Sequence, residues 1–261
     1  MIFAKKSLGQ NFLIDSNIVK KILNQVKIFN KHIVEIGPGN GALTNEIIKR
    51  KPKSLVLIEK DTELAKKLVD KYKNEKFIKI YNSDILKFDL EEKVKSNSII
   101  FGNLPYNISS QILVKILKFE KWPPYFSNLI FMFQKELSEK IIGPFKSKHY
   151  GRLSILTNLR LKLLNKFLVS NNCFFPKPKV TSCVLHFEPK INLKIKIKNI
   201  NNLEKVTNKL FSNKRKMIKK NLEKLLGKKK IKYIEDINLN SRPSELEPKI
   251  YYKITEIFES G

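Results

Sequence analysis

Short apolar runs alternate with amphipathic stretches between residues 31 and 136, and this alternation constrains the fold more than any other feature. The apolar runs have the length of strands, whereas the stretches between them space their apolar residues three or four positions apart, as helices do. The predicted strands cover residues 31–37, 53–60, 76–84, 96–103 and 128–136. Strands that alternate with helices predict a parallel sheet with helices on both faces.

The same periodicity predicts helices and a change of organisation near residue 190. The predicted helices cover residues 15–29, 42–50, 61–72, 109–119 and 146–166. Residues 181–189 alternate like a last strand, after which Lys, Ile and Asn dominate and residues 202–227 read as one or two basic amphipathic helices. We therefore expect a large α/β domain, residues 1–190, and a small basic helical domain, residues 191–261.

The chain is strongly basic, with a formal net charge of +28 from 47 lysines and 5 arginines against 24 acidic residues. Such a charge favours a polyanionic partner, because each neutralised phosphate releases condensed counterions. Compositional drift explains the preference for lysine over arginine but leaves the basic excess unexplained. Nucleic acid is therefore the expected partner, and an anionic membrane surface is the weaker alternative.

Membrane insertion and secretion are not expected from this sequence. No run approaches about 18 consecutive apolar residues, and the N-terminal residues lack the apolar core of a secretion signal. Cys173 and Cys183 have neither metal-ligand nor disulfide spacing, so both are expected to be packing residues. These features favour a cytoplasmic location and give no indication of a metal site.

A glycine-rich loop follows the first predicted strand. The sequence VEIGPGNG places Gly37, Gly39 and Gly41 directly after the strand. Glycines permit a tight turn and a close approach of the backbone to a ligand. The spacing G-x-G-x-G differs from the G-x-G-x-x-G of dinucleotide sites, so the loop alone indicates either a nucleotide site or an ordinary turn.

Polar side chains end the next three predicted strands. Glu59 ends the second strand, 22 residues after Gly37, where a carboxylate accepts from both hydroxyls of a ribose. Asp84 ends the third strand, where it is suited to accept from an adenine amino group, and Asn103 ends the fourth. Either acid alone is as consistent with a helix N-cap. Together with the glycine loop they predict a nucleoside site, because ligands of open α/β sheets bind outside these strand ends.

The sequence Asn103-Leu104-Pro105-Tyr106 directs the chemistry towards methylation of an amine. The exocyclic amine of adenine is a poor nucleophile, because its lone pair is delocalised into the ring. The side-chain oxygen of Asn103 and the backbone carbonyl of Leu104, held extended by Pro105, supply two acceptors that favour a pyramidal nitrogen. The expected donor is therefore S-adenosylmethionine, with positioning as the main source of rate.

Aromatic rings are expected to hold the substrate base. Tyr106 offers a flat face on which an extruded adenine stacks. Phe174, in the loop CFFPKPKV, is the candidate for a second stacking ring, since that loop returns over the predicted site. A buried anchor for the loop is an equally good interpretation of Phe174.

These residues together resemble the ribosomal RNA adenine N6-dimethyltransferase family, and the likeness spans nearly the whole chain. It is carried by SLGQNFLID, VEIGPGNGALT, LIEKD, NSDIL, GNLPYNISSQI, MFQKE, GRLSIL, FFPKPKVTS, FSNKRKMIKKNL and SRPSEL. The resemblance implies a Rossmann-like S-adenosylmethionine-dependent methyltransferase sheet. It also implies that the segment QNFL closes over the cofactor. The implied cofactor contacts are Asn11, Leu13, Gly37, Glu59, Asp84 and Asn103, with Gln10 and Glu35 as further candidates.

The resemblance also implies a substrate and a binding surface. The expected reaction is dimethylation of two adjacent adenosines in the hairpin loop near the 3′ end of 16S rRNA, by a monomer acting on the assembling small ribosomal subunit. The expected RNA contacts are Lys214, Arg215, Lys216, Lys219 and Lys220. Helical spacing predicts that Lys216, Lys219 and Lys220 share one face, with Met217 and Leu222 turned towards protein. NKRK stands where relatives often carry paired arginines, and a lysine in place of an arginine keeps the charge but lacks the planar fork. The alternatives are a large-subunit rRNA adenine methyltransferase of the macrolide-resistance type and a mainly non-catalytic assembly factor.

Overall fold

The computed structural model describes residues 5, 8–191, 195–234 and 237–260. The chain forms two compact units, each built from two pieces of sequence. Unit 1 comprises residues 1–138 and 163–189, and unit 2 comprises residues 139–162 and 190–261. Among the described residues, no helix has the length and apolar character that crossing a membrane demands.

Six of the nine strands in the described residues correspond to predicted strands. The nine are β1 (Phe12–Leu13), β2 (His32–Ile36), β3 (Ser54–Glu59), β4 (Ile78–Asn82), β5 (Ser98–Asn103), β6 (Phe126–Gln134), β7 (Leu161–Val169), β8 (Phe174–Phe175) and β9 (Ser182–Pro189). The helices connect them or extend beyond them. They are α1 (Ser16–Leu23), α2 (Ala42–Lys49), α3 (Thr62–Tyr72), α4 (Leu90–Lys93), α5 (Ser109–Leu117), α6 (Lys135–Ile141), α7 (Arg152–Arg160), α8 (Ile200–Phe211), α9 (Lys219–Leu226), α10 (Lys228–Ile231) and α11 (Pro248–Glu259).

Seven strands form one sheet in the order β4-β3-β2-β5-β6-β9-β7. The pairs from β4 to β6 are parallel, and β9 runs antiparallel to β6. The chain passes outward from β2 to β3 and β4, then returns to place β5 on the other side of β2. Such a reversal opens a crevice at the carboxyl ends of the central strands. The predicted Rossmann-like α/β fold is therefore confirmed.

The core of unit 1 explains why its central strands read as continuous apolar runs. Strands β2 and β5 have a neighbour on each side and helices that cover them, and Ile33, Ile36, Ile100 and Phe101 are at most 2% exposed. A parallel strand covered on both faces needs apolar side chains on both faces. Cys173 and Cys183 are both buried, as expected of packing residues.

Unit 2 is helical and is held together by buried tyrosines. Tyr251 is stacked on Phe211 with ring centroids 5.7 Å apart, and its hydroxyl donates to the carbonyl oxygen of Pro243. Tyr252 donates to the carbonyl oxygen of Ile155 at 3.1 Å. Each ring buries a large apolar area while its hydroxyl finds an acceptor, so none of these polar atoms is left unpaired.

Some boundaries differ from the sequence predictions. The helix predicted over residues 146–166 ends at Arg160, and the chain continues as strand β7. Residues 139–162 belong to unit 2, although the boundary near residue 190 placed them in the large domain. The basic stretch 202–227, predicted as one or two helices, forms two, α8 and α9, separated by a turn over residues 212–218.

Candidate active site

A pocket of roughly 1090 Å³, its open mouth included, lies at the carboxyl ends of β2, β3 and β5. Loops that follow these strand ends line it together with the N-terminal segment, defined as residues 8–13. Of the predicted cofactor contacts, those that line the pocket are Asn11, Leu13, Gly37, Glu59 and Asn103.

The loop after β2 requires glycine for its backbone conformation. Gly37 and Gly41 have φ values of +66° and +80°, in the left-handed region that other residues rarely adopt. A Cβ at Gly41 would lie 2.8 Å from the hydroxyl oxygen of Tyr72. A Cβ at Gly37 would stand 3.8 Å from the carbonyl oxygen of Asn103, inside the crevice between β2 and β5. Positive φ therefore accounts for glycine at both positions of this turn.

The carboxylate of Glu59 is held in a fixed orientation at the end of β3. Its Oε1 accepts from the backbone N–H of Asp61 at 2.9 Å, and its Oε2 accepts from the N–H of Gly39 at 3.0 Å. Burial raises the pKa of Glu59, and these two backbone donors oppose that rise. Each carboxylate oxygen has a second lone pair, so Glu59 retains the capacity to accept from two ribose hydroxyls.

Glu35 is a second carboxyl group at this edge, and it lies behind the glycine loop. It is 1% exposed, and its Oε2 accepts from the hydroxyl of Thr44 at 2.7 Å. Burial raises the pKa of Glu35 to about 8, and the nearby charge of Glu59 adds to the rise. Glu35 is thus a neutral hydrogen-bonding group at pH 7.

Asp84 lies beside the pocket and does not line it, whereas its neighbours Ser83 and Ile85 do. Its Oδ2 is 2.8 Å from the ammonium of Lys60, and its Oδ1 accepts from the N–H of Leu86 at 3.0 Å. The hydrogen bond from Lys60 lowers the pKa of Asp84, and the one from Leu86 adds to the effect. Asp84 is therefore an ionised acceptor, and Lys60, which the sequence did not single out, shares it.

The side-chain amide of Asn103 is oriented by the N-terminal segment. Its Nδ2 donates to the backbone carbonyl oxygen of Asn11 at 3.0 Å. Because a carbonyl oxygen can only accept, the amide atom that contacts Asn11 must be the nitrogen. The side-chain oxygen Oδ1 is left as an acceptor. Leu104 is buried, with 2% of its surface exposed, and Pro105 lines the pocket.

Tyr106 follows at the pocket wall and is held by β9. Its hydroxyl oxygen lies 2.6 Å from the hydroxyl oxygen of Ser182, and the two groups share a hydrogen bond. The bond spans 76 residues of sequence, so no local spacing could have predicted it. Ser182 is fully buried at the first position of β9, which runs opposite to its neighbour and so starts where β6 ends.

Phe174 does not present a face to the pocket in this structure. It is 3% exposed and pairs with Leu13 in a two-stranded sheet formed by β1 and β8. Both side chains belong to the apolar core of unit 1. The interpretation of Phe174 as an anchor of the loop therefore accounts for its position, and the interpretation as a stacking ring does not. The adjacent Phe175 is the exposed ring, at 62%.

The five predicted RNA-contact residues lie in unit 2, not at the pocket. Lys214, Arg215 and Lys216 are exposed in the turn between α8 and α9, and Lys219 and Lys220 are exposed in the first turn of α9. The expectation that Lys216, Lys219 and Lys220 share one helix face is wrong, because the helix begins only at Lys219.

The apolar positions of this region divide differently from the prediction. Met217 was expected to turn towards protein but is 58% exposed, whereas Leu222 is fully buried as expected. Ile218, which the sequence did not single out, is also fully buried. In this turn Ile218 is therefore buried, whereas the basic side chains around it are exposed to solvent.

The pocket residues fit S-adenosylmethionine in the hydrogen-bonding groups that they offer and in the space that they leave. A buried carboxylate at the end of β3 suits a ribose, and an ionised aspartate beside Ser83 and Ile85 suits an adenine amine. The glycine loop leaves room for close backbone contact. Asn103, whose side-chain oxygen is an acceptor, also lines the pocket.

Comparison with known proteins identifies the family. The family described as "Ribosomal RNA adenine dimethylase" matches residues 2–260. The chain belongs to this family. Ribosomal RNA small subunit methyltransferase A of Pelagibacter ubique is 44% identical over 98% of this chain and 97% of its own length. The protein of the same name from Malacoplasma penetrans is 40% identical over 97% of this chain and 91% of its own length.

Solved structures show the same fold. A dimethyladenosine transferase from Plasmodium falciparum has a TM-score of 0.77, with 24% identity over 95% of this chain and 98% of that one. The 23S rRNA methyltransferase ErmE has a TM-score of 0.69, with 21% identity over 95% of this chain and 99% of that one. The membership in the dimethylase family confirms the resemblance seen in the sequence. This rRNA adenine dimethyltransferase uses S-adenosylmethionine as its methyl donor.

Proposed function

We propose that this protein transfers methyl groups from S-adenosylmethionine to the N6 atoms of two adjacent adenosines of 16S rRNA, in the hairpin loop near its 3′ end. The observation that carries the proposal is the amide of Asn103, whose nitrogen is committed to Asn11 and whose oxygen remains an acceptor at the pocket. The name carried by relatives at 40 and 44% identity supports the small subunit as the source of the RNA.

Different residues of the pocket bind different parts of the cofactor. Glu59 holds the ribose hydroxyls of the cofactor, and Asp84 accepts from its adenine amine, with Lys60 neutralising part of that charge. Asn11, Leu13 and Gly37 surround the remainder. When bound, S-adenosylmethionine supplies an electrophilic methyl group.

The substrate amine is oriented by acceptors. Asn103 Oδ1 and the carbonyl of Leu104 accept its two N–H groups, which turns the nitrogen lone pair towards the methyl donor. The ring of Tyr106, fixed through Ser182, gives the extruded base a surface for stacking. No strong general base is needed, because the methylated ammonium product is itself acidic. The rate is expected to come mainly from positioning.

RNA binding is assigned to the basic residues of unit 2. This unit carries 25 lysines and arginines against 9 acidic residues. Lys214, Arg215 and Lys216 crowd into one exposed turn, with Lys219 and Lys220 directly after it. Such a cluster contacts phosphates without reading sequence, so it supplies affinity and leaves the choice of adenosine to the shape of the hairpin.

The cellular setting completes the proposal. The enzyme acts as a cytoplasmic monomer on the assembling small subunit, at a stage when the hairpin is accessible. The large-subunit alternative is less well supported, because the 23S rRNA methyltransferase ErmE is 21% identical, whereas the small-subunit relatives reach 40 and 44%. The hydrogen-bond acceptors that orient the substrate amine are present at the pocket, which argues against a purely non-catalytic assembly factor.

The test is methylation of isolated ribosomal particles. Small subunits that lack dimethyladenosine are incubated with the protein and S-adenosylmethionine, and the modified bases are mapped by mass spectrometry. Two adjacent dimethyladenosines in the 3′ hairpin are expected. Large subunits and the Asn103→Ala variant are the controls. Modification of large subunits alone, or equal modification by the variant, would contradict the proposal.

A further inference from the structure

The carboxylate of Asp61, directly after β3, uses its two oxygens for different tasks. Its Oδ1 accepts from the N–H groups of Glu63 and Leu64 at 3.0 and 3.4 Å and so caps helix α3. Its Oδ2 accepts from the side-chain amide of Gln10 at 2.9 Å. A helix cap needs only one oxygen. The second oxygen therefore has a separate purpose, and it reaches a residue 51 positions earlier in the chain.

Gln10 is held at both ends, which fixes the direction of its amide. Its Nε2 donates to Asp61, and its Oε1 accepts from the backbone N–H of Lys5 at 2.8 Å. The ammonium of Lys5 lies 3.1 Å from Asp61 Oδ1. Burial disfavours the charge on Asp61, but the hydrogen bonds from Gln10 and Lys5 outweigh it and hold the pKa of Asp61 below its ordinary value.

The residues that flank Gln10 lie against residues 103–107. The carbonyl oxygen of Asn11 accepts from the amide of Asn103. Gly9 has a φ of +63°, and a Cβ there would lie 3.1 Å from the side-chain oxygen of Asn107. The segment thus passes directly over the residues after β5, and a shift at Gln10 moves the carbonyl that orients Asn103.

Asp61 is also tied to the other side of the pocket. Its backbone N–H donates to Oε1 of Glu59, whose Oε2 accepts from Gly39 in the glycine loop. One residue therefore joins the ribose-binding carboxylate, through its backbone, to the N-terminal segment, through its side chain. The side chain of Asp61 is 2% exposed, so these contacts are shielded from competing water.

We infer that Asp61 is a positioning residue for methyl transfer: by holding Gln10 it fixes the carbonyl of Asn11, which turns the oxygen of Asn103 towards the substrate amine. The role depends on the proposed function only through the task given to Asn103. The contact between Asp61 and the N-terminal segment can be tested without any reaction.

The variants separate the cap from the positioning contact. Asp61→Ser keeps one oxygen for the cap of α3 and loses the oxygen that binds Gln10. Gln10→Ala removes the same contact and leaves the cap untouched, so it remains informative if Asp61→Ser folds poorly. Asp89→Ser is the matched control, because Asp89 caps α4 through Glu92 and is exposed.

Two readouts are measured on each full-length variant. The first is backbone amide hydrogen exchange over residues 8–13, together with exchange of the side-chain amide of Asn103 by NMR. The second is the single-turnover rate of methyl transfer to small subunits at saturating S-adenosylmethionine. Both test variants should exchange faster at these amides and should react about 10- to 100-fold more slowly. The thermal midpoint of Gln10→Ala and all properties of Asp89→Ser should match wild type.

The outcomes are distinguishable. Wild-type exchange in both test variants would overturn the inference, whatever the RNA result. Faster exchange with an unchanged rate would overturn the link to Asn103. If the wild-type protein does not methylate small subunits, the proposed function fails, and the exchange of residues 8–13 and of the Asn103 amide still decides whether Asp61 holds them.

Discussion

The side-chain nitrogen of Asn103 donates to the backbone carbonyl oxygen of Asn11 at 3.0 Å, across 92 residues of sequence. The donor stands at the end of β5 and the acceptor in the N-terminal segment. Because the bond uses the nitrogen, it leaves the side-chain oxygen as the acceptor end of the amide. The orientation of this amide at one end of the sheet is therefore set by a part of the chain outside that sheet.

Asn103→Ala should lower the rate of methyl transfer by about 100-fold, as removal of one oriented polar contact does in other active sites. The fold should be little affected, since the lost bond lies at the pocket edge. Single-turnover kinetics and the thermal midpoint are the measurements, with the exposed Asn172→Ala as control. Normal turnover in a variant that still binds cofactor and RNA would show that Asn103 does not activate the amine.

Asp84→Ala should weaken the binding of S-adenosylmethionine, because the adenine amine loses a charged acceptor. An unmet buried polar group costs about 1–3 kcal/mol. Lys60→Met tests the ion pair separately from the acceptor. It removes the 2.8 Å contact between Lys60 and Asp84 and leaves the carboxylate of Asp84 in place. We expect a much smaller effect from Lys60→Met. Titration calorimetry measures both, and equal affinity of Asp84→Ala and wild type would exclude Asp84 from the site.

Glu35→Gln should stabilise the protein increasingly as the pH rises from about 4.5 to 8. The pKa of Glu35 is raised from 4.5 to about 8 by burial. Below pH 4.5 the group is protonated in both the folded and the unfolded state. Between these values only the unfolded state ionises, so wild-type stability falls with pH, by up to a few kcal/mol at about 1.4 kcal/mol per pKa unit.

Denaturant unfolding of wild type and Glu35→Gln at pH 5, 6.5 and 8 measures this difference. Glutamine remains neutral and keeps an oxygen for the hydroxyl of Thr44. The difference in the free energy of unfolding between the two proteins should therefore increase from pH 5 to pH 8 and then level off. A gap that stays constant over this range would mean that Glu35 is ionised in the folded state.

The triple variant Lys214→Ala, Arg215→Ala, Lys216→Ala should bind small subunits more weakly and with a flatter dependence on salt. Each lost phosphate contact removes about one unit of slope in a plot of log affinity against log salt. The matched control replaces Lys66, Lys67 and Lys73, which are exposed lysines of unit 1. Affinity for S-adenosylmethionine should stay unchanged in both. Equal slopes for the two triple variants would remove the turn as an RNA contact.

Tyr106→Phe should retain most activity, whereas Tyr106→Ala should lose about 10- to 100-fold in kcat/KM, because base stacking contributes about 1–3 kcal/mol. The phenylalanine variant lacks the hydrogen bond to Ser182 but keeps a flat ring. Ser182→Ala removes the same bond from the other side and should resemble Tyr106→Phe. If Tyr106→Ala reacts as fast as Tyr106→Phe, stacking on this ring is not part of the reaction.

The strands and the glycine loop were predictable because their signals are local. Burial of β2 and β5 on both faces leaves continuous apolar runs, and positive φ at Gly37 demands glycine. Parallel strands align their carboxyl ends, so Glu59 and Asn103 could be expected at one edge from their positions alone. The predicted edge and the pocket coincide for that reason.

Other features depend on pairing between distant residues and could not be predicted locally. The bond between Tyr106 and Ser182 requires knowledge that β9 lies two strands from β5. Phe174 and Phe175 are adjacent aromatic residues, and only their pairing with β1 decides which is buried. Residues 161–166 have helical spacing, yet tertiary contacts make them part of β7.

The antiparallel strand β9 has a consequence for how the protein is made. Unit 1 is completed only by residues 163–189, so the ribosome must synthesise residues 139–162 before β9 can cover β6. Until then, β6 is an edge of nine residues with the sequence FSNLIFMFQ. Long apolar edges recruit other chains. A chain stopped after residue 138 is therefore expected to aggregate, and the interval before residue 189 emerges is when a nascent chain most needs a chaperone.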